Sequence, residues 1–306
     1  LITMRLKKFS VPTNSDKNSN RKARYITYTE WGDQDNPHIV ICVHGLTRNC
    51  RDFDFLAEAL EINCRVICVD IVGRGQSDWL TNLEDYAHHP LYVNDTMALL
   101  THIGALGNST IQLDWVGISM GGLIGMIVAI QPELQVLIRK LVMSDIGPLI
   151  PAIALEEMLD YVGKEPQFKN FNEFKEHLQE ISSSYGNLTD AQWYHLAAHS
   201  ARKFDNETYG FNYDPRIAES LKKHVRHDIN MWAQWNALRI PTLVLHGERS
   251  KVLLPDTVAK MKMRGAMVKI IELPNIGHAP MLISNDQIIL VKDYLLKPVR
   301  SDVSNY

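Results

Sequence analysis

The sequence lacks any apolar run long enough to cross a membrane, and residues 1–20 have no apolar core of the kind that marks a secretory signal peptide. Cysteine is scarce, with 4 in 306 residues, and no two of them form a C-x-x-C pair. This scarcity argues against a disulfide framework or a zinc ribbon, so we expect free, buried thiols in the reducing cytoplasm. The cysteines are Cys42, Cys50, Cys64 and Cys68.

Strong charge of either sign is also missing. The 32 lysines and arginines nearly balance the 35 acidic residues, for a net charge of -3. We therefore expect no nucleic-acid partner, and we interpret the one basic stretch, near the N-terminus, as a solvated, partly mobile segment. Its basic residues, set against the single acid Asp16, are Arg5, Lys7, Lys8, Lys17, Arg21, Lys22 and Arg24.

Metal-binding motifs are equally sparse. His195 and His199 have the spacing of two helical zinc ligands, but the glutamate of an H-E-x-x-H motif is missing. An ordinary helix face with two histidines is the favoured interpretation, so we expect neither a metal nor a cofactor.

The strongest chemical signal is the segment Gly117-Ile118-Ser119-Met120-Gly121, which lies between an apolar strand candidate, residues 111–116, and an apolar helix candidate that ends near Pro132. A serine on such a tight strand-to-helix turn is typical of a nucleophile elbow, and the glycines let neighbouring chains approach it. The same pattern also arises by chance in a plain glycine-rich turn. Its context decides between the two interpretations.

That context begins upstream, where residues 39–43 form a candidate buried strand followed by His44-Gly45-Leu46. The backbone N–H groups of Leu46 and Met120 are expected to converge on the oxygen that becomes negative when Ser119 attacks a carbonyl. We expect His44 to brace this loop rather than to act as a base.

A third motif, Asp70–Asp78, follows the next strand candidate, and its charges are expected to position a tight glycine loop. With these three motifs in order, the chain resembles the α/β-hydrolase superfamily, in its cap-bearing branch of esterases, carbon–carbon bond hydrolases, haloalkane dehalogenases and epoxide hydrolases. The resemblance extends from about Tyr25 to Pro280. It implies a mostly parallel central sheet flanked by helices, with a helical cap inserted after the sixth strand.

The resemblance also implies a catalytic triad in which Ser119 is the nucleophile and His278 the general base. His278 lies in Asn275-Ile276-Gly277-His278-Ala279-Pro280, directly after the strand candidate 268–273. A glycine-histidine pair after the last strand matches the place where this superfamily keeps its catalytic histidine. The serine would lose its proton to His278 as it attacks.

The acid of the triad departs from the commonest pattern. Most relatives carry an aspartate shortly after the seventh strand, here residues 242–247, but the matching position holds Ser250. Glu248 lies too close to the strand end, and Asp256 belongs to the start of the next helix behind Pro255. Some family members place the acid after the sixth strand, so we favour Asp145. A turn-forming role for Asp145 stays open, and replacing Ser250 is expected to change little.

Helical patterns replace the strand–helix alternation between Pro148 and Arg239. We therefore predict a cap over residues 148–239 and a core domain formed by residues 1–147 and 240–306. The predicted cap helices are Leu155–Val162, Phe171–Ile181, Ala191–Ala198 and Pro215–Leu221.

The resulting hypothesis is a hydrolase of small to medium carboxylic esters that works through an acyl-Ser119 intermediate. Its expected partner is the small-molecule ester substrate, and the sequence leaves the oligomeric state open. A carbon–carbon bond hydrolase of aromatic ring-cleavage products and a non-catalytic ligand-binding member of the fold remain alternatives. Dehalogenases and epoxide hydrolases of this superfamily attack with an aspartate, and this chain has Ser119 at that position.

Overall fold

The computed structural model describes residues 3–12, 23–135, 137–265 and 267–298. Its strands, in chain order, are β1 Arg5–Val11, β2 Arg24–Trp31, β3 His38–Val43, β4 Arg65–Val69, β5 Gln112–Ile118, β6 Ile138–Ser144, β7 Leu149–Ile150, β8 Ala201–Lys203, β9 Tyr209–Phe211, β10 Ile229–Asn230, β11 Thr242–Gly247 and β12 Val268–Leu273.

Helices cover the sheet and fill the segment between β6 and β11. The α-helices are α1 Asp54–Leu60, α2 His89–His102, α3 Met120–Ala129, α4 Ala152–Leu159, α5 Phe171–Ile181, α6 Asp190–Ser200, α7 Ile217–His224, α8 Trp232–Ala237, α9 Pro255–Arg264 and α10 Asn285–Leu296. Short 3-10 helices occupy Cys50–Phe53, Leu83–Ala87 and Ser183–Tyr185. Within the described ranges, none of the helices has both the length and the apolarity that a membrane span requires.

Eight strands form one sheet in the order β1-β2-β4-β3-β5-β6-β11-β12. The ladders β1–β2 and β2–β4 are antiparallel, and those from β4 to β12 are parallel. Because helices cover both faces of a parallel sheet, strands such as β3 and β11 are almost continuously buried, which explains the apolar runs 39–43 and 243–245 within them. The predicted fold, a mostly parallel sheet with helices inserted after the sixth strand, is confirmed.

The N-terminal segment is not the solvated arm that its charge suggested. Residues 5–11 form the edge strand β1, which buries Phe9 and Val11 against the core. Arg5 and Lys7 form ion pairs with Glu30, whose side chain is fully buried. Burial alone would raise the pKa of Glu30, but hydrogen bonds from Lys7 and Arg65 outweigh it and hold the pKa below its usual range. The basic positions 17, 21 and 22 lie outside the described residues.

The segment after β6 contains the predicted helices together with two short antiparallel ladders that the sequence did not indicate. Helix α5 has the predicted bounds, and α6 extends slightly beyond them. The β7–β10 ladder joins Leu149 to Asn230 and so ties the start of the inserted segment to its end. The domain boundaries at 148 and 239 stay a prediction.

Candidate active site

Ser119 lies between the carboxyl end of β5 and the first residue of α3. Its backbone φ angle is 51°, a value that residues other than glycine rarely adopt. Glycines make this turn possible. A methyl group on Gly117 would lie 2.2 Å from the carbonyl carbon of Gly121, and one on Gly121 would lie 1.9 Å from the Val43 carbonyl oxygen. The close packing of strand, turn and helix thus explains why the motif needs glycine on both sides of the serine.

Three side chains from distant parts of the sequence form one hydrogen-bonded chain at the carboxyl edge of the sheet. Ser119 Oγ lies 2.7 Å from His278 Nε2. His278 Nδ1 lies 2.8 Å from Asp145 Oδ2. Because an ionised carboxylate only accepts, Nδ1 carries the ring proton and Nε2 is left to accept from the serine hydroxyl. The structure therefore brings together the three residues that the sequence analysis proposed.

Asp145 is fully buried and held by further donors. Its Oδ1 accepts from the Gly247 backbone N–H at 2.9 Å, and its Oδ2 accepts from the Ser250 hydroxyl at 2.5 Å. The two rejected acids lie elsewhere: Glu248 accepts from the Asn275 backbone N–H at 2.7 Å, and Asp256 is in the first turn of α9. Strands β6 and β11 are neighbours, which is why an acid from either strand end could reach the same histidine.

Replacing Ser250 was expected to change little, but the contacts of its hydroxyl group argue otherwise. Besides donating to Asp145, its oxygen accepts from the backbone N–H groups of Val252 and Leu253, at 3.2 and 3.0 Å. The hydroxyl thus links the buried carboxylate to the loop after β11. The sequence signal was present but easily missed, because a small donor occupied the place where relatives keep an acid.

The backbone N–H groups of Leu46 and Met120 were expected to face the carbonyl oxygen of the substrate. Among the described residues, neither N–H donates to a protein acceptor. A buried arginine, Arg74, spans the two residues: its Nε donates to the Leu46 carbonyl oxygen at 2.8 Å and its Nη2 lies 3.6 Å from Met120 Sδ. Arg74 is the residue between two glycines in the third motif, whose charges were expected to position a tight loop. It fixes the loop that presents the Leu46 amide.

His44 braces that same loop from within the core. Its ring lies 2.7 Å from the Gly45 carbonyl oxygen through Nδ1, and its Nε2 accepts from the Ile71 backbone N–H at 3.0 Å. Burial lowers the pKa of His44 to about 3. A neutral ring with a proton on Nδ1 satisfies both hydrogen bonds, so both contacts fit the bracing role expected from the sequence.

In the described part of the chain, two cavities of note reach Ser119. The smaller has a volume of about 320 Å³ and the larger about 560 Å³. Leu46, Ser119 and Met158 of α4 line both, so the inserted helices help to wall both cavities.

The inserted segment also contacts the loop that carries His278. The Ser184 hydroxyl donates to the His278 carbonyl oxygen at 2.7 Å.

His195 and His199 lie with Asp54 in a cluster that could in principle surround a metal ion. The positively charged guanidinium of Arg51 already pairs with this cluster. Its Nε donates to Asp54 Oδ2 at 2.8 Å, and its Nη1 lies 3.5 Å from His199 Nδ1. Burial, with the Arg51 charge as a smaller cause, lowers the pKa of His199 to about 4. The four cysteines are free and buried, as expected.

Comparisons with known proteins agree with this architecture. The model of the Alpha/beta hydrolase family matches residues 40–288. A 3-hydroxybutyrate-oligomer hydrolase from Cupriavidus necator is 39% identical over 277 residues, which cover 88% of this chain and 92% of that protein.

Solved structures give the same result. A Rickettsia typhi protein that is named only provisionally as a hydrolase superimposes with a TM-score of 0.84 at 31% identity, over 95% of this chain and 98% of that one. An alpha/beta hydrolase from Novosphingobium aromaticivorans superimposes with a TM-score of 0.81 at 30% identity, over 96% of this chain and 99% of that one. This chain belongs to the alpha/beta hydrolase family.

Proposed function

We propose that this hydrolase cleaves carboxylic esters through an acyl-serine intermediate, with Ser119 as nucleophile, His278 as general base and Asp145 as the acid that orients it. The observation that carries the proposal is the hydrogen-bonded chain from Ser119 Oγ through both ring nitrogens of His278 to Asp145 Oδ2. This order of donors and acceptors is the one that nucleophilic serine catalysis requires.

In the first half-reaction, Ser119 Oγ attacks the ester carbonyl carbon while its proton passes to His278 Nε2. The carbonyl oxygen becomes negative and accepts from the Leu46 and Met120 amides, which no protein group otherwise engages in the described residues. When the tetrahedral intermediate collapses, the ester C–O bond breaks and His278 returns the proton to the departing alcohol oxygen.

In the second half-reaction, water attacks the acyl-Ser119 and gives a proton to His278. Collapse of this intermediate releases the carboxylic acid and returns the proton to Ser119 Oγ. Throughout the cycle, the buried Asp145 carboxylate stabilises the imidazolium and keeps the ring in one orientation.

For the substrate, we propose short esters of hydroxy acids, with oligomers of 3-hydroxybutyrate as the first compounds to test. The 39% identical relative carries that activity in its name, and the identity extends over most of both chains. Inserted helices help to wall both cavities at Ser119, and their volumes of about 320 and 560 Å³ limit the length of chain that the site can hold. This supports soluble short esters over long-chain emulsified lipids.

The test is a hydrolysis panel with purified protein: the dimer and trimer of 3-hydroxybutyrate, nitrophenyl esters of graded acyl length, an emulsified triglyceride and one aromatic ring-cleavage product. We expect acid release from the oligomers and the short esters. Preferential turnover of the triglyceride would contradict a site limited to short chains, and turnover of the ring-cleavage product alone would replace ester cleavage by carbon–carbon cleavage.

A further inference from the structure

The two cavities at Ser119 differ in the catalytic groups that line them. His278 lines only the smaller cavity, while Met120, whose amide faces the developing oxyanion in the proposed mechanism, lines only the larger. The larger cavity also has a mainly aliphatic wall, formed by Leu123, Ile124 and Ile127 of α3 among others. The reacting ester therefore meets two chemically distinct spaces.

Proton transfer decides which half of the ester enters which space. The alcohol oxygen must receive its proton from His278 Nε2 as it leaves, so the alcohol fragment lies on the side of His278, in the smaller cavity. The acyl fragment stays bonded to Ser119 and extends into the larger, aliphatic cavity.

The smaller cavity is lined by a polar side chain, Arg48, that makes no hydrogen bond with Ser119, His278 or Asp145. Arg48 is only 6% exposed and lines this cavity. Its Nε and Nη2 donate to the two oxygens of Asp52, at 2.9 and 2.6 Å. Its Nη1 donates to no protein group in the described part of the chain. This nitrogen is also not one of the fully buried polar atoms that lack a partner, so its N–H donors are open to a bound molecule.

Tyr185 lines the same cavity, and burial raises its pKa despite the opposing charge of Arg48. The phenol therefore stays protonated; its oxygen accepts a hydrogen bond from the Ser182 side chain, and its O–H can donate to a bound molecule. Asp52 neutralises the charge of Arg48. Arg48 and Tyr185 therefore recognise a ligand mainly through hydrogen bonds and only weakly through net charge. An ester carbonyl and a carboxylate are both acceptors that such a pair can hold.

We propose that the smaller cavity binds the alcohol half of the ester as a hydroxy acid, and that Arg48 and Tyr185 hold an oxygen of its carboxyl group. This assignment rests on the proposed ester hydrolysis. It gives the substrate a direction: the end that bears the free carboxyl group lies toward Arg48, and the acyl end lies along α3.

The test compares three butyrate esters that differ only in the alcohol: 3-(butyryloxy)butyric acid, its methyl ester, and sec-butyl butyrate, which lacks the carboxyl group. We expect the two carboxyl-bearing esters to have higher kcat/KM than sec-butyl butyrate. A higher value for the free acid than for the methyl ester assigns the contact to a carboxylate, and equal values assign it to a carbonyl oxygen.

Arg48→Lys keeps a cation opposite Asp52 but removes the second arm of the guanidinium. We expect it to lower the preference for carboxyl-bearing esters about tenfold, the effect of losing one charge-assisted hydrogen bond. Tyr185→Phe should lower the same preference. Arg264→Lys, an exposed position at the end of α9 outside both cavities, is the matched control, and circular dichroism checks the folding of each variant.

Leu123→Phe, in the larger cavity, should change the dependence on acyl length and keep the preference among alcohols. The inference is overturned if the alcohol preference of folded Arg48→Lys and Tyr185→Phe equals that of the wild type. It is also overturned if the Leu123 variant alters that preference instead. A wild-type protein that hydrolyses none of the three esters refutes the proposed function itself, so the two failures are distinguishable.

Discussion

The Ser250 hydroxyl donates a hydrogen bond of 2.5 Å to Oδ2 of Asp145, the same oxygen that faces His278 Nδ1. Two donors thus converge on one carboxylate oxygen, and the Gly247 N–H holds the other. The carboxylate is therefore fixed in position and its charge is kept available to the imidazole.

Ser250→Ala removes one of these donors and also leaves the amides of Val252 and Leu253 without their acceptor. We expect kcat on a short ester to fall about tenfold, because the Asp145 carboxylate loses one of the charge-assisted hydrogen bonds that hold it toward His278. Ser250→Thr, which keeps the hydroxyl, should recover most of the rate. Normal kcat in the alanine variant, with a lowered melting temperature, would limit Ser250 to holding the loop.

Asp145→Asn tests the acid directly. The asparagine oxygen can still accept from the Gly247 N–H, but the amide nitrogen cannot accept from His278, so the ring loses its orienting charge. We expect kcat to fall on the order of a thousandfold or more. Glu248→Gln is the matched control and should stay near the wild-type rate. The opposite pattern would move the acid to the loop after β11 and leave Asp145 as a turn former.

Ser119→Ala should abolish nearly all turnover, by on the order of 10⁴-fold or more, while the protein stays folded. The companion measurement is labelling by a fluorophosphonate, followed by intact-protein mass spectrometry. One adduct on the wild type and none on the variant identifies Ser119 as the reactive serine. A variant that retains half of the wild-type rate, with contamination excluded, would refute the assignment.

His44 predicts a loss of folding stability in acid. Its folded pKa of about 3 lies below the value near 6.5 of an exposed histidine, so between these pH values the unfolded chain binds the extra proton. The stabilisation is fully present above about pH 6.5 and declines as the pH falls, with a limiting slope of about 1.4 kcal/mol per pH unit.

The measurement is the free energy of unfolding by denaturant at a series of pH values from neutral to moderately acidic. His44→Gln cannot take up that proton, so its stability should decline less steeply than that of the wild type. His199, whose pKa burial lowers to about 4, acts in the same direction, and His199→Gln measures its share. Parallel curves for wild type and His44→Gln would mean that His44 is not the buried neutral group described above.

Much of the site could be predicted because its signals are local. The elbow needs glycine on both sides of Ser119 wherever a strand, a turn and a helix pack this closely, and that requirement is visible in five consecutive residues. Buried parallel strands such as β3 and β11 need apolar side chains on both faces, so their positions are visible as well. The position of His278 followed from the resemblance to the superfamily.

Other features depend on which segments become neighbours. Residues 5–11 look like a solvated basic arm until β1 pairs with β2 and Arg5 and Lys7 meet the buried Glu30. Arg74 becomes a brace for the Leu46 loop only because the loop after β4 packs against the loop after β3. Neither contact leaves a periodic pattern in the sequence.

The sequence by itself determined the tight turn at Ser119, the strands that carry the candidate site and the presence of an inserted helical segment, because each depends on the chemistry of adjacent residues. Only the tertiary structure decided that Asp145, Ser250 and His278 meet at one carboxylate oxygen and that Arg48 faces the cavity beside His278. The physical reason is the strand order: β6, β11 and β12 lie side by side in the sheet, and their carboxyl ends bring together residues that are far apart along the chain.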